Sequence, residues 1–73
     1  SESLGLVSLT GIARVRAREM SELLGVSMVS DVAELTEKAR ERLSDLRGWS
    51  HKLVENIVKE AGRKVRRDKR KYN

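Results

Sequence analysis

Apolar residues recur at intervals of three and four along most of this chain, which is the spacing of one buried face on an α-helix. The first clear segment starts at Arg14, and Gly25 stands where a residue in the left-handed conformation commonly ends a helix. The apolar positions of this segment are Ala17, Met20, Leu23 and Leu24. A short opening helix is expected before it, with apolar positions Leu4, Val7 and Leu9.

The middle of the chain keeps the same spacing but allows two interpretations. The base of the turn after the first helix is expected to be covered by Val26, Met28 and Val29, with the methionines Met20 and Met28 filling the core. Either Ser30 or Asp31 is suited to cap the next helix. The apolar positions that follow are Val32, Leu35, Ala39, Leu43 and Leu46. They fit one long helix or two short helices broken near Thr36, and both remain open.

The last helix has the clearest single face. Ser50 is a suitable N-cap, and Gly62 stands at the expected end. The apolar face consists of Leu53, Val54, Ile57, Val58 and Ala61. Because no segment alternates apolar and polar residues as a strand does, the sequence predicts a compact all-α domain of four or five helices.

Charge divides this 73-residue chain into two parts. Residues 1–62 hold nine lysines and arginines against ten acids, whereas residues 63–73 hold seven basic residues against Asp68 alone. We therefore expect a folded domain over 1–62 and a flexible basic tail over 63–73 that attracts a polyanion. The tail residues assigned to nucleic-acid binding are Arg63, Lys64, Arg66 and Arg67. A solvated terminus or a linker is the alternative interpretation of this segment.

Two glycine-containing turns, residues 9–13 and 46–50, lie 37 positions apart, and we call them the first and second hairpin. Gly11 allows a tight bend and close approach of a phosphate to bare backbone. The helix that follows begins with unpaired N–H groups and a partial positive charge, both of which favour an anion. Ala13 is placed at this start, which is therefore a candidate phosphate site.

Three arginines follow the first hairpin, but they do not share one face. At about 100° per residue, Arg14 and Arg18 lie about 40° apart, whereas Arg16 points to nearly the opposite side. We expect Arg14 and Arg18 to bind successive phosphates, and Arg16 to contact a neighbouring strand or another domain. The alternative is a solvated face in which Glu22 partly neutralises Arg18, a pair worth at most about 0.5 kcal/mol.

The second hairpin repeats this arrangement with different residues. Gly48, Ser50 and Lys52 are the candidate phosphate contacts, and Lys52 adds a point charge to the helix start. Trp49 is suited either to stack on a base or, as the more common use of a lone tryptophan, to plug the core. His51 is expected to be a surface residue, since no second histidine or cysteine stands at metal-ligand spacing.

These residues resemble a tandem helix-hairpin-helix domain over roughly residues 6–62. The run from Gly11 to Arg18 is most similar to the C-terminal accessory domain of archaeal superfamily-two DNA helicases that act at stalled forks. The chain departs from the family's pattern at Ala13, where a glycine is usual, and at Trp49 and Ser50, which replace an aliphatic residue and a glycine. The resemblance implies that Arg14, Arg16 and Arg18 hold the single strand leaving the motor.

Several classes of function are disfavoured by features that the sequence lacks. The chain has no cysteine, so thiolate metal sites and disulfides are excluded, and no metal site is expected. It also carries no phosphate-binding nucleotide loop, no partnered nucleophile, no membrane-length apolar run and no signal-peptide pattern. We therefore expect a non-catalytic, intracellular module. Since the chain opens with Ser1 and its first methionine is Met20, we also expect it to be a piece of a longer protein. ATP and magnesium are expected only in motor domains of that parent.

The sequence thus predicts a monomeric module that binds DNA, single-stranded or forked, through its sugar-phosphate backbone without base readout. The preference for DNA over RNA comes from the resemblance alone. A protein-interaction module that pairs or docks through apolar faces is the second interpretation, and an RNA partner recruited by the basic tail is the third. No membrane partner is expected.

Overall fold

A computed structural model describes the backbone of residue 6 and residues 8–72, and the side chains of residue 6 and residues 8–68. The helices of this part are α1 (Arg14–Leu24), α2 (Val29–Ala33), α3 (Glu37–Ser44) and α4 (His51–Tyr72). No strand occurs among these residues, so the predicted all-α class is confirmed for the described part of the chain. The predicted opening helix lies mostly outside it, because Leu4 and Val7 are not described.

Helix α1 begins and ends where its sequence predicts. Ala13 is the N-cap and is extended, with φ −105° and ψ 179°, so the chain enters the helix without a side-chain cap. Gly25 ends it in the left-handed conformation at φ 69°. The Gly25 N–H donates to the Ser21 carbonyl at 2.9 Å and the Val26 N–H to the Met20 carbonyl at 3.4 Å, which pairs the last carbonyls of the helix.

The middle of the chain is two short helices. The side chain of Thr36 caps α3 by accepting a hydrogen bond from the Ala39 N–H at 3.1 Å, so the break falls at Thr36. Asp31 stabilises the start of α2, because its carboxylate accepts from the backbone N–H groups of Ser27 at 3.2 Å and Met28 at 3.1 Å. The prediction that Met28 fills the core is wrong: its side chain is 59% exposed, since it occupies the N-cap position outside the buried face of α2.

The core lies between α4 and the elements that precede it. Helix α4 packs against both α2 and α3, and an Arg40–Glu55 ion pair at 3.5 Å joins α3 to α4 at the surface. Both side chains of this pair are substantially exposed, so its contribution to stability is small. The buried apolar residues are Leu6, Leu9, Ile12, Ala17, Met20, Val26, Val32, Leu43, Trp49, Val54, Ile57 and Ala61.

The predicted boundary at Gly62 differs from the structure. Helix α4 continues through Gly62 to Tyr72, a span of 22 residues, so the prediction that the last helix ends at Gly62 is wrong. Positive φ values occur at Gly11, Gly25 and Gly48 but not at Gly62. The buried residues of its first half fix the helix, and lysine and arginine are good helix formers that propagate it once it is nucleated.

Among the described residues, no helix has the length and apolar character required to cross a bilayer.

Candidate nucleic-acid interface

The two hairpins have the same backbone hydrogen bonds. In the first hairpin, the Leu9 N–H donates to Leu6 at 3.0 Å and the Ile12 N–H donates to Leu9 at 3.1 Å. In the second, the corresponding bonds join Leu46 to Leu43 at 3.1 Å and Trp49 to Leu46 at 3.0 Å. The glycines between them also match, with φ 88° at Gly11 and 84° at Gly48. The 37-position repeat of the sequence is therefore a repeat of local structure.

Each hairpin is anchored by one apolar side chain at the same repeat position. Ile12 is 5% exposed and Trp49 is 8% exposed, so both fill the core beneath their turns. The indole N–H of Trp49 donates to the Glu19 carboxylate on α1 at 3.2 Å. This burial confirms the core position of Trp49 and leaves its ring little surface on which a base could stack.

Arg16 joins the two hairpins. One guanidinium nitrogen, Nη1, donates to the Gly11 carbonyl at 3.0 Å, and Nη2 donates to the Gly48 carbonyl at 2.9 Å. The same guanidinium carbon lies 5.8 Å from the centre of the Trp49 ring, within the range of a cation–π contact. Arg16 does point away from Arg14 and Arg18, as its helical position predicts, but its partners belong to this chain and not to a neighbouring domain.

A second contact mirrors the first. A side chain at Gly11 would meet the Cδ1 atom of Leu53 at 2.9 Å, so the first hairpin rests on the first turn of α4. Leu53 and Arg16 occupy the same repeat position, as do Gly11 and Gly48. The first turn of each helix thus contacts the glycine of the other hairpin, which is the reciprocal pattern of a two-fold relation.

Two acidic residues that sequence reasoning missed also hold the hairpins. The Glu60 carboxylate accepts from the Thr10 backbone N–H at 2.9 Å and from the Thr10 hydroxyl at 3.2 Å. Glu19 binds Trp49, as described above. Neither acid interrupts the apolar pattern of its helix, and their partners lie 50 and 30 positions away, so spacing along the chain carried no signal for them.

The helix starts differ in how they are capped. Ala13 offers no side-chain acceptor at the start of α1, whereas the Ser50 hydroxyl at the start of α4 accepts from the Leu53 N–H at 3.1 Å. Ser50 is therefore the N-cap that the sequence predicts. Its oxygen already accepts a hydrogen bond from one of the backbone N–H groups that an anion would bind. The start of α1, where no side chain does so, therefore leaves more N–H groups free for an anion.

The charges at these starts also set α1 and α4 apart from the other helices. Asp31 stands in the first turn of α2 and Glu37 in the first turn of α3, which is the favourable sign for a helix N-terminus. Neither α1 nor α4 has an acid in its first turn. Their first turns carry Arg14 and Lys52 instead, and both side chains are exposed.

Arg18 is also exposed, one helical turn after Arg14. The structure places no ion pair between Arg18 and Glu22 in the part of the chain that it describes. Gly48 is exposed as well, apart from the carbonyl that Arg16 binds.

The basic residues after Gly62 separate into two groups. Arg63 and Arg66 lie on the exposed face of α4 that also carries Lys52. Lys64 and Arg67 line a shallow cavity of about 240 Å³ with Ser8, Val29 and Asp68.

His51 is exposed at the start of α4, where the sequence expects a surface residue. Within the described residues, no group of three or more histidine or acidic side chains is arranged to hold a metal ion.

Comparison with known proteins gave no relative: no family model matches the chain, and neither the curated proteins nor the solved structures contain a match.

Proposed function

We propose that this module binds nucleic acid through backbone phosphates at its two hairpins, as a tandem helix-hairpin-helix domain. The observation that carries the proposal is the reversed charge at two of its helix starts. Helices α2 and α3 have an acid in the first turn, whereas α1 and α4 have none and carry the exposed cations Arg14 and Lys52 in their first turns, each after a glycine turn. A cation at a helix N-terminus costs about 0.3–1 kcal/mol, so this choice is unfavourable unless an anion is bound there.

The first hairpin is the main phosphate site. The backbone N–H groups at the start of α1 have no intrahelical partner, and Ala13 provides no competing side-chain acceptor. An incoming phosphate accepts hydrogen bonds from these groups, and Arg14 adds a charged donor beside them. Arg18 reaches the next phosphate along the strand.

The second hairpin contributes less. Ser50 caps α4 and so satisfies one of the free donors, while Lys52 supplies a charge from the first turn. Arg16 serves as a positioning residue, since its donors hold the carbonyls of both hairpin glycines. Because all of these contacts are made to phosphates, binding has little sequence preference.

DNA, single-stranded or forked, is the ligand that the resemblance to helicase accessory domains implies, and phosphate contacts alone do not distinguish it from RNA. In a parent helicase the module steadies the unwound strand while ATP- and magnesium-dependent motor domains move.

The test is a salt titration of binding to single-stranded DNA, with two charge-matched double variants. Arg14→Gln with Arg18→Gln removes two contacts, and the slope of log affinity against log salt is expected to become shallower by about 1.4 for a single strand. Lys38→Gln with Arg42→Gln removes the same charge from exposed positions of α3 and is expected to leave the slope unchanged. Equal slopes for the two variants contradict the hairpin proposal. A dimer in sedimentation with no affinity for nucleic acid supports a protein-interaction module instead.

A further inference from the structure

Helix α4 carries a row of exposed cations that extends away from the second hairpin. Lys52, Lys59, Arg63 and Arg66 are separated by seven, four and three residues, which places them within about 60° of one another around the helix axis. All four are exposed, as is Asn56 between them. At about 1.5 Å per residue, the row is about 21 Å long. We call these four residues the α4 ridge.

Three acids lie in the described part of α4, and one of them, Glu55, is on the ridge face, about 40° from Lys59 around the helix axis. Glu55 pairs with Arg40 of α3 at 3.5 Å, and Glu60 accepts both hydrogen bonds from Thr10. Asp68 lies about 160° from Arg66 around the helix, on the opposite side. Each acid in the described part of α4 is therefore either engaged with another element or turned away from the ridge.

From this arrangement we infer that the α4 ridge binds the phosphates of a single nucleic-acid strand that continues from the second hairpin. The inference rests on the proposed function, because the ridge extends the site that the hairpins begin. Lys52 belongs to both, since it stands in the first turn of α4 at the hairpin and is the first residue of the row. The interface thereby gains a straight segment that the hairpins alone do not provide.

The shape of the ridge favours a single strand over a duplex. A duplex completes a turn in about 34–36 Å, so over about 21 Å each of its strands passes more than halfway around the axis. A straight row of cations cannot follow such a path for its full length. A single strand is free to lie along the row, and one row of cations matches one row of phosphates.

The full chain is tested with oligothymidine, which forms no base pairs, at a length of about 20 nucleotides, above the site sizes of about 4–16 typical of single-strand-binding domains. Lys59→Gln with Arg63→Gln removes two ridge cations, and Lys38→Gln with Arg42→Gln is the matched control, with one lysine and one arginine changed in each. Each phosphate contact to a single strand raises the affinity about 10^0.7-fold at 0.1 M salt relative to 1 M salt. Because the ridge variant loses two such contacts, it is expected to bind about 25-fold more weakly at 0.1 M salt. The control is expected to bind as the unchanged protein does.

The outcomes separate the two proposals. If the unchanged protein binds oligothymidine but the ridge variant matches the control, the ridge inference fails and the hairpin proposal stands. If the unchanged protein binds no nucleic acid, both fail. A loss that is at least as large on a duplex of the same length overturns the assignment to a single strand. Circular dichroism of both variants provides a check that α4 remains helical.

Discussion

The Arg16 guanidinium donates a 2.9 Å hydrogen bond to the carbonyl of Gly48, which lies in a different hairpin and 32 positions along the chain. Its neighbouring nitrogen binds the carbonyl of Gly11. The planar fork of arginine binds both carbonyls at once, so one side chain links the two hairpins. A lysine has a single ammonium group at this position and cannot reproduce the fork.

We predict that Arg16→Lys lowers the stability of the domain and, with it, the affinity for nucleic acid. Loss of one or both partly exposed hydrogen bonds is expected to lower the free energy of unfolding by about 1–2 kcal/mol, measured by urea denaturation. Arg14→Lys is the control, because Arg14 is exposed and retains a cation, and its stability is expected to stay within about 0.5 kcal/mol of the unchanged protein. Equal stability of the two variants would show that Arg16 does not support the hairpins.

The sequence predicted those parts of the fold that depend on local signals. The start of α1, its left-handed end at Gly25 and the Ser50 cap each follow from residues within one helical turn of the feature. Burial of Trp49 follows from the apolar slot that it shares with Ile12 in the repeat. Local signals of this kind need no knowledge of what packs across the molecule.

The features that sequence reasoning missed depend on contacts between distant residues. The Thr10–Glu60 and Trp49–Glu19 hydrogen bonds join separate elements, and the bond from Arg16 to the Gly48 carbonyl becomes visible only when the hairpins are side by side. The course of α4 past Gly62 was missed for another reason. A glycine ends a helix only where the chain turns away, and here the flanking residues continue to propagate the helix.

The two hairpin glycines provide a matched pair of substitutions. The Cβ atom of an alanine in place of Gly48 would have no neighbouring atom within 4 Å. The expected loss of stability is therefore that of the positive φ alone, about 1–2 kcal/mol. Alanine at Gly11 has the same backbone cost and also meets Leu53 at 2.9 Å. We therefore expect Gly11→Ala to destabilise the protein more than Gly48→Ala, measured by thermal or urea unfolding. The reverse order would contradict the packing of the first hairpin on α4.

Gly62 allows a direct test of the long helix. Its φ is not positive, and an alanine there comes no closer than 3.4 Å to the end of the flexible Arg66 side chain. Alanine lowers the entropy of the unfolded chain and favours the helix, so Gly62→Ala is expected to raise the free energy of unfolding by about 0.5–1 kcal/mol. The measurement is urea unfolding with helical content followed by circular dichroism. A loss of stability would indicate that the chain turns at Gly62 and that residues 63–72 do not continue α4.

Val15 allows a test by gain of binding. It is 71% exposed in the first turn of α1, and its repeat counterpart in α4 is Lys52. Val15→Lys therefore places a cation beside the open helix start without disturbing the core. Affinity for single-stranded DNA is expected to rise about five-fold at 0.1 M salt, with a salt slope steeper by about 0.7, if the new lysine neutralises one phosphate.

The control for this gain is a lysine added elsewhere. Met28→Lys also replaces an exposed apolar residue, 59% accessible, but stands at the start of α2 beside the Asp31 carboxylate. It changes the net charge of the protein by the same amount without adding a cation to a hairpin. Because a general increase in positive charge acts through long-range attraction in both variants, only a local phosphate site distinguishes them. An equal rise in affinity for Val15→Lys and Met28→Lys would therefore contradict a phosphate site at the start of α1.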